Sequence, residues 1–413
     1  MPKNKTETIT ETMVSTTNDS YIRRSTLPYS AGQIFALFAE EQGAVFLDSS
    51  LENNLGQYSI IGLVPYHEVS VENGIFSVDG TTHSGTPAEY LKAYLRRNHR
   101  ENPTDLPLTD GAIGYVTYDY GMKGMGLTSR HEAKIAMADM KWIFYDFFII
   151  EDLKDHSLWF IANGHTEPPQ ELWEKMENLI KEKMAAFTAP ILTDTYPIDI
   201  RPDCTPDEYA RALKKLLDYL IDGHVYVTNF TGTLTVDCPC PPYTFFSRLR
   251  RDNPSPFGAY LQYGSYQIIS ASMERLLHIN GSQIETRPIK GTRRRGKTAA
   301  EDAALRKELS ESQKDRSELL MIVDLERNDL NKICQPGSVS VPDLFAVEEY
   351  ATVFHLIAGV TGTLKPEKTA IDALTALFPG GSITGAPKKR AMEIIDELES
   401  SRRQLYTGTI GYL

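Results

Sequence analysis

A lysine followed by a glycine, placed just after a β-rich run, is the first candidate for chemistry in this chain. The run Ile284 to Pro288 is typical of a strand, and Lys290 and Gly291 follow it closely. The missing side chain of the glycine would let a ligand approach the backbone beside the lysine amine. An ordinary solvated lysine fits the same local pattern, so the pattern alone leaves both interpretations open.

A second candidate is a carboxylate pair in the segment Ser317 to Leu330, which continues a predicted helix. Glu318 and Asp324 would lie nearly two turns apart on such a helix, and Arg327 follows them. Paired carboxylates can bind Mg²⁺, but they can equally cap the helix or pair with the arginine. The spacing alone favours the structural interpretation.

The third candidate is a glycine-rich turn from Phe378 to Ala386 that leads through Pro387 into a predicted helix. Backbone N–H groups at the positive end of a helix suit a carboxylate or a phosphate. The turn matches neither a Walker A loop nor a dinucleotide fingerprint. The cluster of Gly121, Gly124 and Gly126 also matches neither motif, and we expect it to form a loop.

The overall charge excludes several classes of partner. The chain of 413 residues has a formal net charge of −12, and its basic run Arg293 to Lys297 is too short for a nucleic-acid patch. We expect this run to form a solvated loop. The longest apolar stretch, Trp142 to Ile150, is too short to span a bilayer, and the polar N-terminus does not resemble a signal peptide. The composition therefore predicts a cytoplasmic protein that binds neither nucleic acid nor membranes.

The order of predicted elements favours an α+β fold, because strands and helices come in blocks. Residues 1–18 are polar and predicted to be disordered, and short strands follow between Phe35 and Phe160. The segment Thr188 to Cys204 contains three prolines and is predicted to link two domains. Thr205 and Glu208 form a capping-box pattern at the start of a helix with an apolar stripe. The stripe, which we expect to be buried, consists of Tyr209, Leu213, Leu216, Leu217 and Leu220.

Taken together, several motifs resemble the chorismate-utilising enzymes, a family that includes anthranilate synthase, aminodeoxychorismate synthase and isochorismate synthase. The motifs are Phe46–Ser49, Gln57–Ile60, Gly111–Tyr115, Ile284–Thr292, Ser317–Leu330, Phe378–Lys388 and Tyr406–Tyr412. The resemblance implies a fold like anthranilate synthase component I, with two antiparallel β-sheets packed as a sandwich and helices outside. It also implies an N-terminal domain over residues 19–187 and a chorismate-binding catalytic domain over residues 205–413.

Position 290 separates branches of this family. Anthranilate synthases commonly have a small residue there, whereas Lys290 resembles the aminodeoxychorismate synthases that aminate chorismate at C4 for para-aminobenzoate and folate synthesis. The resemblance implies that the Lys290 amine attacks C2 as the C4 hydroxyl leaves, and that ammonia then displaces the lysine. Glu274 is implied as the general acid for the leaving hydroxyl. Met273 departs from the proline that is usual before this glutamate.

The remaining site residues are carried over from the family position by position. Glu318 is implied as a ligand of Mg²⁺, and His355 as a histidine near the leaving group. Without the family, His355 would be interpreted as a packed histidine in an apolar run. Ser49 and Tyr58 match a pocket that binds tryptophan in some relatives. The implied chorismate contacts are Gly291, Thr292, Ser382, Thr384, Gly385 and Tyr406.

Partners and alternatives follow from the same resemblance. No glutaminase constellation is recognisable, so ammonia is expected from a separate glutamine amidotransferase subunit. Relatives continue beyond the equivalent of Tyr412, and the catalytic domain is therefore expected to be truncated at its C-terminus. Anthranilate synthase component I is the alternative enzyme. A regulatory module that binds chorismate or tryptophan is the alternative without catalysis.

Overall fold

The computed structural model describes residues 20–51, 53–188 and 198–413. The predicted disordered segment 1–18 lies outside the described residues. The helices are α1 (Ala31–Phe35), α2 (Pro87–Arg97), α3 (Tyr118–Gly124), α4 (Pro169–Ala186), α5 (Pro206–Ile221), α6 (Pro242–Asp252), α7 (Ala299–Glu311), α8 (Gln313–Ile333), α9 (Ala370–Leu377) and α10 (Lys388–Leu398). Within the described ranges, none of these helices has the length and apolar character needed to cross a membrane.

The strands form an eleven-stranded sheet, a five-stranded sheet and two short two-stranded sheets. They are β1 (Tyr21–Arg24), β2 (Val45–Asp48), β3 (Tyr58–Glu72), β4 (Ile75–Val78), β5 (Thr81–Thr82), β6 (Ala112–Val116), β7 (Met140–Asp152), β8 (Ser157–Ala162), β9 (Asp199–Pro202), β10 (Val227–Thr228), β11 (Leu234–Asp237), β12 (Phe257–Gln262), β13 (Gln267–Ser272), β14 (Arg275–Asn280), β15 (Gln283–Arg287), β16 (Ile289–Arg294), β17 (Ser340–Glu349), β18 (Val353–Thr363), β19 (Gly385–Ala386) and β20 (Thr409–Tyr412).

The larger sheet has eleven strands and is built around the long antiparallel pair of β3 and β7. Its main order is β1-β8-β7-β3-β2-β12-β13, and β6 and β20 extend it beside β7. Successive side chains of β7 enter different cores: Phe147 and Ile149 pack in one, and Phe148 and Ile150 in the other. The sheet is therefore covered on both faces, which explains the uninterrupted apolar run that the sequence shows here.

The smaller sheet has five strands, and its central strand β18 pairs with β15, β16 and β17. The helix α8 packs on this sheet through a core that includes Leu319, Val323 and Phe354. The helix α9 contributes Leu377 to the same core and Ile371 to a core of the larger sheet. The helix α9 therefore joins the two sheets, and the predicted α+β fold with antiparallel sheets is confirmed.

The two sheets do not follow the predicted division of the chain. The strand β12 comes after residue 205 but pairs with β2, and β20 at the far end pairs with β6. The predicted linking segment is also partly regular structure, because Asp199–Pro202 forms β9 and pairs with β11. Residues 189–197 of that segment lie outside the described part of the chain. The domains 19–187 and 205–413 stay a prediction, while the larger sheet contains strands from both.

Three local predictions are wrong, and the first two concern the glycine cluster and the helix α5. The glycine cluster expected as a loop is partly helical, because α3 contains Gly121 and Gly124. The apolar stripe of α5 is only partly buried: Leu216 packs against residues of α10, whereas Leu217 is 50% exposed and Tyr209 is 45% exposed. Among the described residues, Leu216 and Leu220 pack in the cluster that contains Ala391 and Ile394 of α10, whereas the other members of the stripe are exposed.

The basic run, expected as a solvated loop, instead attaches the strand β16 to the helix α7. Arg293 contacts Glu308 at 2.7 Å, and Arg295 contacts Asp302 at 2.6 Å. Arg294 belongs to β16 as well. These pairs occupy the positive charges within the fold, so the run holds the strand that carries Lys290 against its helical layer.

A buried ion pair fixes the end of β2 to α6. The side chain of Asp48 is 0% exposed, and the guanidinium of Arg250 donates two hydrogen bonds to it, each 2.8 Å long. Such a bidentate pair is geometrically specific. A carboxylate buried this completely retains its full desolvation penalty when its partner is removed. The pair is therefore a point at which an early strand depends on a later helix.

We predict that Arg250→Ala lowers the free energy of unfolding by about 2 kcal/mol, because it leaves Asp48 buried without its partner. The partial exposure of the arginine keeps this loss moderate. Chemical denaturation followed by circular dichroism measures this change. The control is Arg251→Ala on the same helix, where the arginine pairs with the exposed Asp252. That change is expected to stay within about 0.5 kcal/mol. Equal losses in both variants would contradict the role of the Asp48 pair.

Candidate active site

The strand β16 carries Lys290, Gly291 and Thr292 and contains an irregularity at the glycine. The register with β18 shifts between Lys290 and Thr292, and Thr292 then lies opposite His355. Gly291 has a φ of 77°, which glycine adopts without strain. A Cβ at this position would lie 2.8 Å from the Cβ of Asp315 on α8. The glycine is thus required by backbone conformation and helix packing, whereas the sequence suggested open space for a ligand.

Glu274 lies where the larger and the smaller sheet meet, between β13 of the larger sheet and β14 of the smaller one. The hydroxyl of Ser382 donates a hydrogen bond to its carboxylate. Desolvation raises the pKa of the Glu274 carboxyl above its ordinary value, although hydrogen bonds from Ser382 and Ile289 and the charge of Lys290 oppose this shift. The site is therefore able to keep a carboxylic acid protonated at a higher pH than water would.

The amine of Lys290 lies beside this acid. Its Nζ donates a hydrogen bond to the carbonyl oxygen of Ser382 at 2.8 Å. Burial lowers the pKa of the Lys290 amine, because the ammonium form loses its hydration, and the carboxylates of Glu274 and Glu318 oppose that shift. Ser382 thus contacts both groups, with its hydroxyl on the acid and its carbonyl on the amine. One residue therefore sets the relative position of a carboxyl group and an amine.

His355 on β18 is both packed and adjacent to the acid. It is 8% exposed, and its Nδ1 lies 3.0 Å from the hydroxyl oxygen of Thr292. Its Nε2 contacts the sulfur of Met273, the residue that precedes Glu274. Burial lowers the pKa of the His355 imidazole, which favours the neutral ring. The histidine is therefore a packed residue beside Met273 and Thr292, and its role near a leaving group stays a prediction.

The turn between α9 and α10 supports Ser382. Thr384 is fully buried, and its hydroxyl donates to the carbonyl of Gly380 at 2.8 Å. Gly385 pairs with Thr228 in the small sheet of β10 and β19, and a Cβ there would collide with the carbonyl oxygen of Val227. Thr384 and Gly385 hold the turn in shape, and their contact with chorismate stays a prediction.

Three charged residues that sequence reasoning did not select surround this turn: Glu326, Asp329 and Lys388. Glu326 on α8 accepts a hydrogen bond from the backbone N–H of Gly381 at 2.9 Å. The Nζ of Lys388 lies 2.7 Å from Asp329 and donates to the carbonyl of Leu377 at 3.0 Å. Glu326 and Asp329 are three residues apart on a predicted helix, so they share one face. This three-residue spacing is the sequence signal from which the two carboxylates could have been selected.

Glu318 and Tyr406 lie outside the contacts that join Glu274, Lys290 and Ser382 in the described structure. Glu318 projects from α8 with a side chain that is 35% exposed, and its charge raises the pKa of the lysine amine. Tyr406 is 56% exposed and lines a cavity of about 220 Å³ together with residues of the 231–234 and 399–403 segments. Their predicted roles as a metal ligand and a substrate contact remain predictions.

Ser49 and Tyr58, the predicted tryptophan pocket, lie in the larger sheet. The hydroxyl of Ser49 contacts the backbone carbonyl of Tyr58 at 2.8 Å and that of Pro256 at 2.9 Å. Ser49 is 9% exposed. The serine therefore ties β2 and β3 to the segment that enters β12, and tryptophan binding here stays a prediction.

The fit of the site to Mg²⁺ rests on Glu318. The part of the chain that the structure describes has no group of three or more His, Cys, Asp or Glu residues arranged to hold a metal ion. Mg²⁺ is often held by one or two protein carboxylates, with water and substrate oxygens as its other ligands. Among the residues that the structure describes, the ion-pair partner of Glu318 is Lys314, at a long 3.9 Å, so its carboxylate is available for such a role. The residues present fit an ion that is shared with a substrate.

Comparison with known proteins identifies the class to which this fold and site belong. The family model of the chorismate binding enzymes matches residues 48–413, and the chain belongs to that family. It is a chorismate-utilising enzyme, as the sequence motifs predicted.

Its relatives include enzymes of two kinds. The chain is 36% identical over 365 residues to aminodeoxychorismate synthase component 1 of Bacillus subtilis strain 168, covering 86% of this chain and 78% of that protein. It is 34% identical over 370 residues to anthranilate synthase component 1 of Lactococcus lactis, covering 88% of this chain and 80% of that protein. The crystal structure of anthranilate synthase component I from Streptococcus pneumoniae matches with a TM-score of 0.78 and 32% identity, covering 88% of this chain and 82% of that one.

The contact of Ser382 with Glu274 yields a prediction. Ser382→Ala removes the hydroxyl that stabilises the ionised carboxylate, so the pKa of Glu274 should rise further. Carbon-13 NMR of glutamate-labelled protein measures this titration, and the signal is assigned by its loss in Glu274→Gln. Ser401→Ala is the control, because the Ser401 hydroxyl donates to Asp203 instead. An unchanged Glu274 titration in Ser382→Ala would contradict the proposed hydrogen bond.

Proposed function

We propose that this protein aminates chorismate at C4 to give 4-amino-4-deoxychorismate, a precursor of para-aminobenzoate and folate. The observation that carries the proposal is the position of Lys290, whose amine lies beside Glu274 with Ser382 in contact with both. Burial favours the neutral amine and the protonated acid in the same site. A nucleophile and a proton donor in these states are what displacement of a hydroxyl group requires.

The covalent step uses the lone pair of Lys290. The amine forms a bond to C2 of the ring, the two ring double bonds shift, and the C4–O bond breaks. Glu274 gives its proton to the departing hydroxyl, which leaves as water. The new ammonium group then returns a proton to the Glu274 carboxylate. Ammonia attacks C4 in the second displacement, and the double bonds shift back as the bond between C2 and the Lys290 nitrogen breaks. Glu274 protonates the departing nitrogen, which leaves as the neutral amine, and then takes up a proton from the new C4 ammonium group.

The protonation state that this step needs is accessible without a change of charge. Neutral Lys290 with protonated Glu274 contains the same number of protons as the ion pair of the two residues. The two forms are therefore proton tautomers of one site. Burial raises the pKa of the Glu274 carboxyl and lowers that of the Lys290 amine, and both shifts favour the neutral tautomer.

Mg²⁺ would be held by Glu318 together with chorismate. When bound, the ion supplies positive charge to a substrate that carries two carboxylates. Glu318 lies on α8, the same helix that supports the Ser382 turn through Glu326. The helix α8 would thus position the substrate and the catalytic turn together.

Ammonia would come from a glutamine amidotransferase subunit. The designation "component 1" of the curated relatives supports an assembly of more than one chain. Anthranilate synthesis is the second candidate function, since the relatives from Lactococcus lactis and Streptococcus pneumoniae carry that name at similar identity. The nucleophile at position 290 is the observation that favours amination at C4.

The first test concerns Lys290. With chorismate and Mg²⁺ but no ammonia, a covalent adduct should accumulate on this side chain, and peptide mapping by mass spectrometry should locate it. Lys290→Ala should abolish the adduct and reduce aminodeoxychorismate formation at least about a hundredfold, which corresponds to roughly 2.8 kcal/mol of transition-state stabilisation.

Lys297→Ala is the matched control, because this exposed lysine follows on the same segment. It should leave both the adduct and the rate unchanged. The product formed from ammonium and chorismate is identified in the same assay. Anthranilate as the product, or an unchanged rate in Lys290→Ala, would refute amination through the lysine.

Metal dependence provides a second test of the proposal. Mg²⁺ should increase the affinity for chorismate, and Glu318→Gln should reduce this increase at least tenfold, because one negative ligand of the ion is lost. Isothermal titration of chorismate at varied Mg²⁺ concentrations measures the effect. Asp324→Asn is the control on the same helix, where the carboxylate is exposed and pairs with Arg327. If both variants respond to Mg²⁺ as the unmodified protein does, Glu318 is not a ligand.

A further inference from the structure

Glu326 is a buried acid in which one carboxylate oxygen accepts a hydrogen bond and the other has no partner among the described residues. It lies on α8, is 2% exposed, and accepts the Gly381 N–H through Oε1 at 2.9 Å. Its Oε2 is also buried and has no hydrogen-bond partner among the described residues. A buried polar atom without a partner is costly, so a position that retains one calls for a physical explanation.

The hydrogen bond from Gly381 connects this acid to the catalytic groups through adjacent backbone. Gly381 directly precedes Ser382, whose hydroxyl contacts Glu274 and whose carbonyl contacts Lys290. A Cβ at Gly381 would lie 2.9 Å from Oε1 of Glu326, so the turn is packed closely against α8. A displacement of the Gly381 N–H would therefore move Ser382 relative to both groups.

We propose that Glu326 is a positioning residue for this site: its hydrogen bond to Gly381 fixes the turn that holds Ser382 between Glu274 and Lys290. This inference rests on the proposed function for its catalytic consequence, but the placement of Ser382 can be tested without it. Glu326 acts through the turn, by its hydrogen bond to Gly381, and its role requires no contact with substrate.

The surroundings of Glu326 determine how it holds the turn. The charged groups that face it are Lys388 on α10, Asp329 on α8 and Glu274 from the junction of the sheets. Burial raises the pKa of the Glu326 carboxyl to about 7, Lys388 and the Gly381 hydrogen bond oppose this, and the two carboxylates add to it. The acid is therefore largely protonated below pH 7. A protonated glutamate and a glutamine present the same carbonyl oxygen to Gly381, so glutamine should replace it.

The test compares two substitutions at one position. Glu326→Gln keeps an acceptor for the Gly381 N–H and should keep kcat for chorismate consumption within about twofold. Glu326→Ala leaves that N–H without a partner and should lower kcat at least about tenfold, with a smaller change in KM, because the acid and the nucleophile lose their alignment. Hydrogen exchange of a peptide spanning the turn should rise in Glu326→Ala and stay unchanged in Glu326→Gln.

Glu151 provides matched controls in the larger sheet. It is a buried glutamate that accepts the Ala31 N–H at 2.7 Å, and Glu151→Gln and Glu151→Ala repeat the same chemical changes. Glu151→Ala should lower the melting temperature but leave kcat and exchange of the turn unchanged. A general loss of stability is thereby separated from a local displacement of Ser382.

The outcomes separate the two proposals. If Glu326→Gln loses as much activity as Glu326→Ala, or if Glu326→Ala leaves kcat and exchange unchanged, Glu326 is not the positioning residue. If the unmodified enzyme makes anthranilate, the proposed function fails, while the ratio between the two variants still decides the role of Glu326. If no turnover is measurable, the exchange of the turn decides it: protection retained in Glu326→Ala overturns the inference, and protection lost only there supports it.

Discussion

The structure of the site depends on how an acid and an amine are held together away from water. In water Glu274 and Lys290 would both be ionised, whereas burial disfavours each charged form. Their mutual attraction works in the opposite direction and favours the ion pair. Ser382 contacts both members through different atoms, a hydroxyl for the acid and a carbonyl for the amine. The balance between the neutral and ionised forms is therefore set by the position of one turn.

The surrounding fold can be understood as the support for that turn and for the two groups it joins. Glu274 lies between the last strand of the larger sheet and the first strand of the smaller one, and Lys290 belongs to the smaller sheet, so the site forms where the sheets meet. The helix α8 holds the turn through Glu326. A third support is Arg403, which is buried, pairs with Glu399 and donates to the carbonyl next to Ser382 in the chain at 2.8 Å. The contacts of Ser382 with Glu274 and Lys290, and of Gly381 with Glu326, join segments that are distant in sequence.

The sequence predicted the elements better than their partners. Capping at Thr205 and the long apolar run of β7 are local signals, and each element formed where expected. The interleaving of β12 into the larger sheet is a long-range pairing that no local pattern specifies. The same limit applies to the site. Motifs identified Lys290 and Ser382, and helical spacing could have drawn attention to Glu326, but its contact with the turn depends on the long-range packing of α8 against Gly381.

The shifted pKa values also bear on how activity and stability are related at this site. When folding raises the pKa of an acid, the protein loses stability as the pH rises above the pKa of that acid in the unfolded chain. When folding lowers the pKa of an amine, the protein loses stability as the pH falls below the pKa of that amine in the unfolded chain. Between those two values, which includes neutral pH, the desolvation of Glu274 and of Lys290 opposes folding, and their mutual attraction offsets only part of it. The apolar cores of the two sheets supply the compensating free energy. Removal of the Lys290 amine therefore has no intrinsic reason to unfold the protein, although it leaves Glu274 with a still higher pKa. A loss of turnover without a loss of stability is the signature that separates a residue kept for chemistry from one kept for the fold.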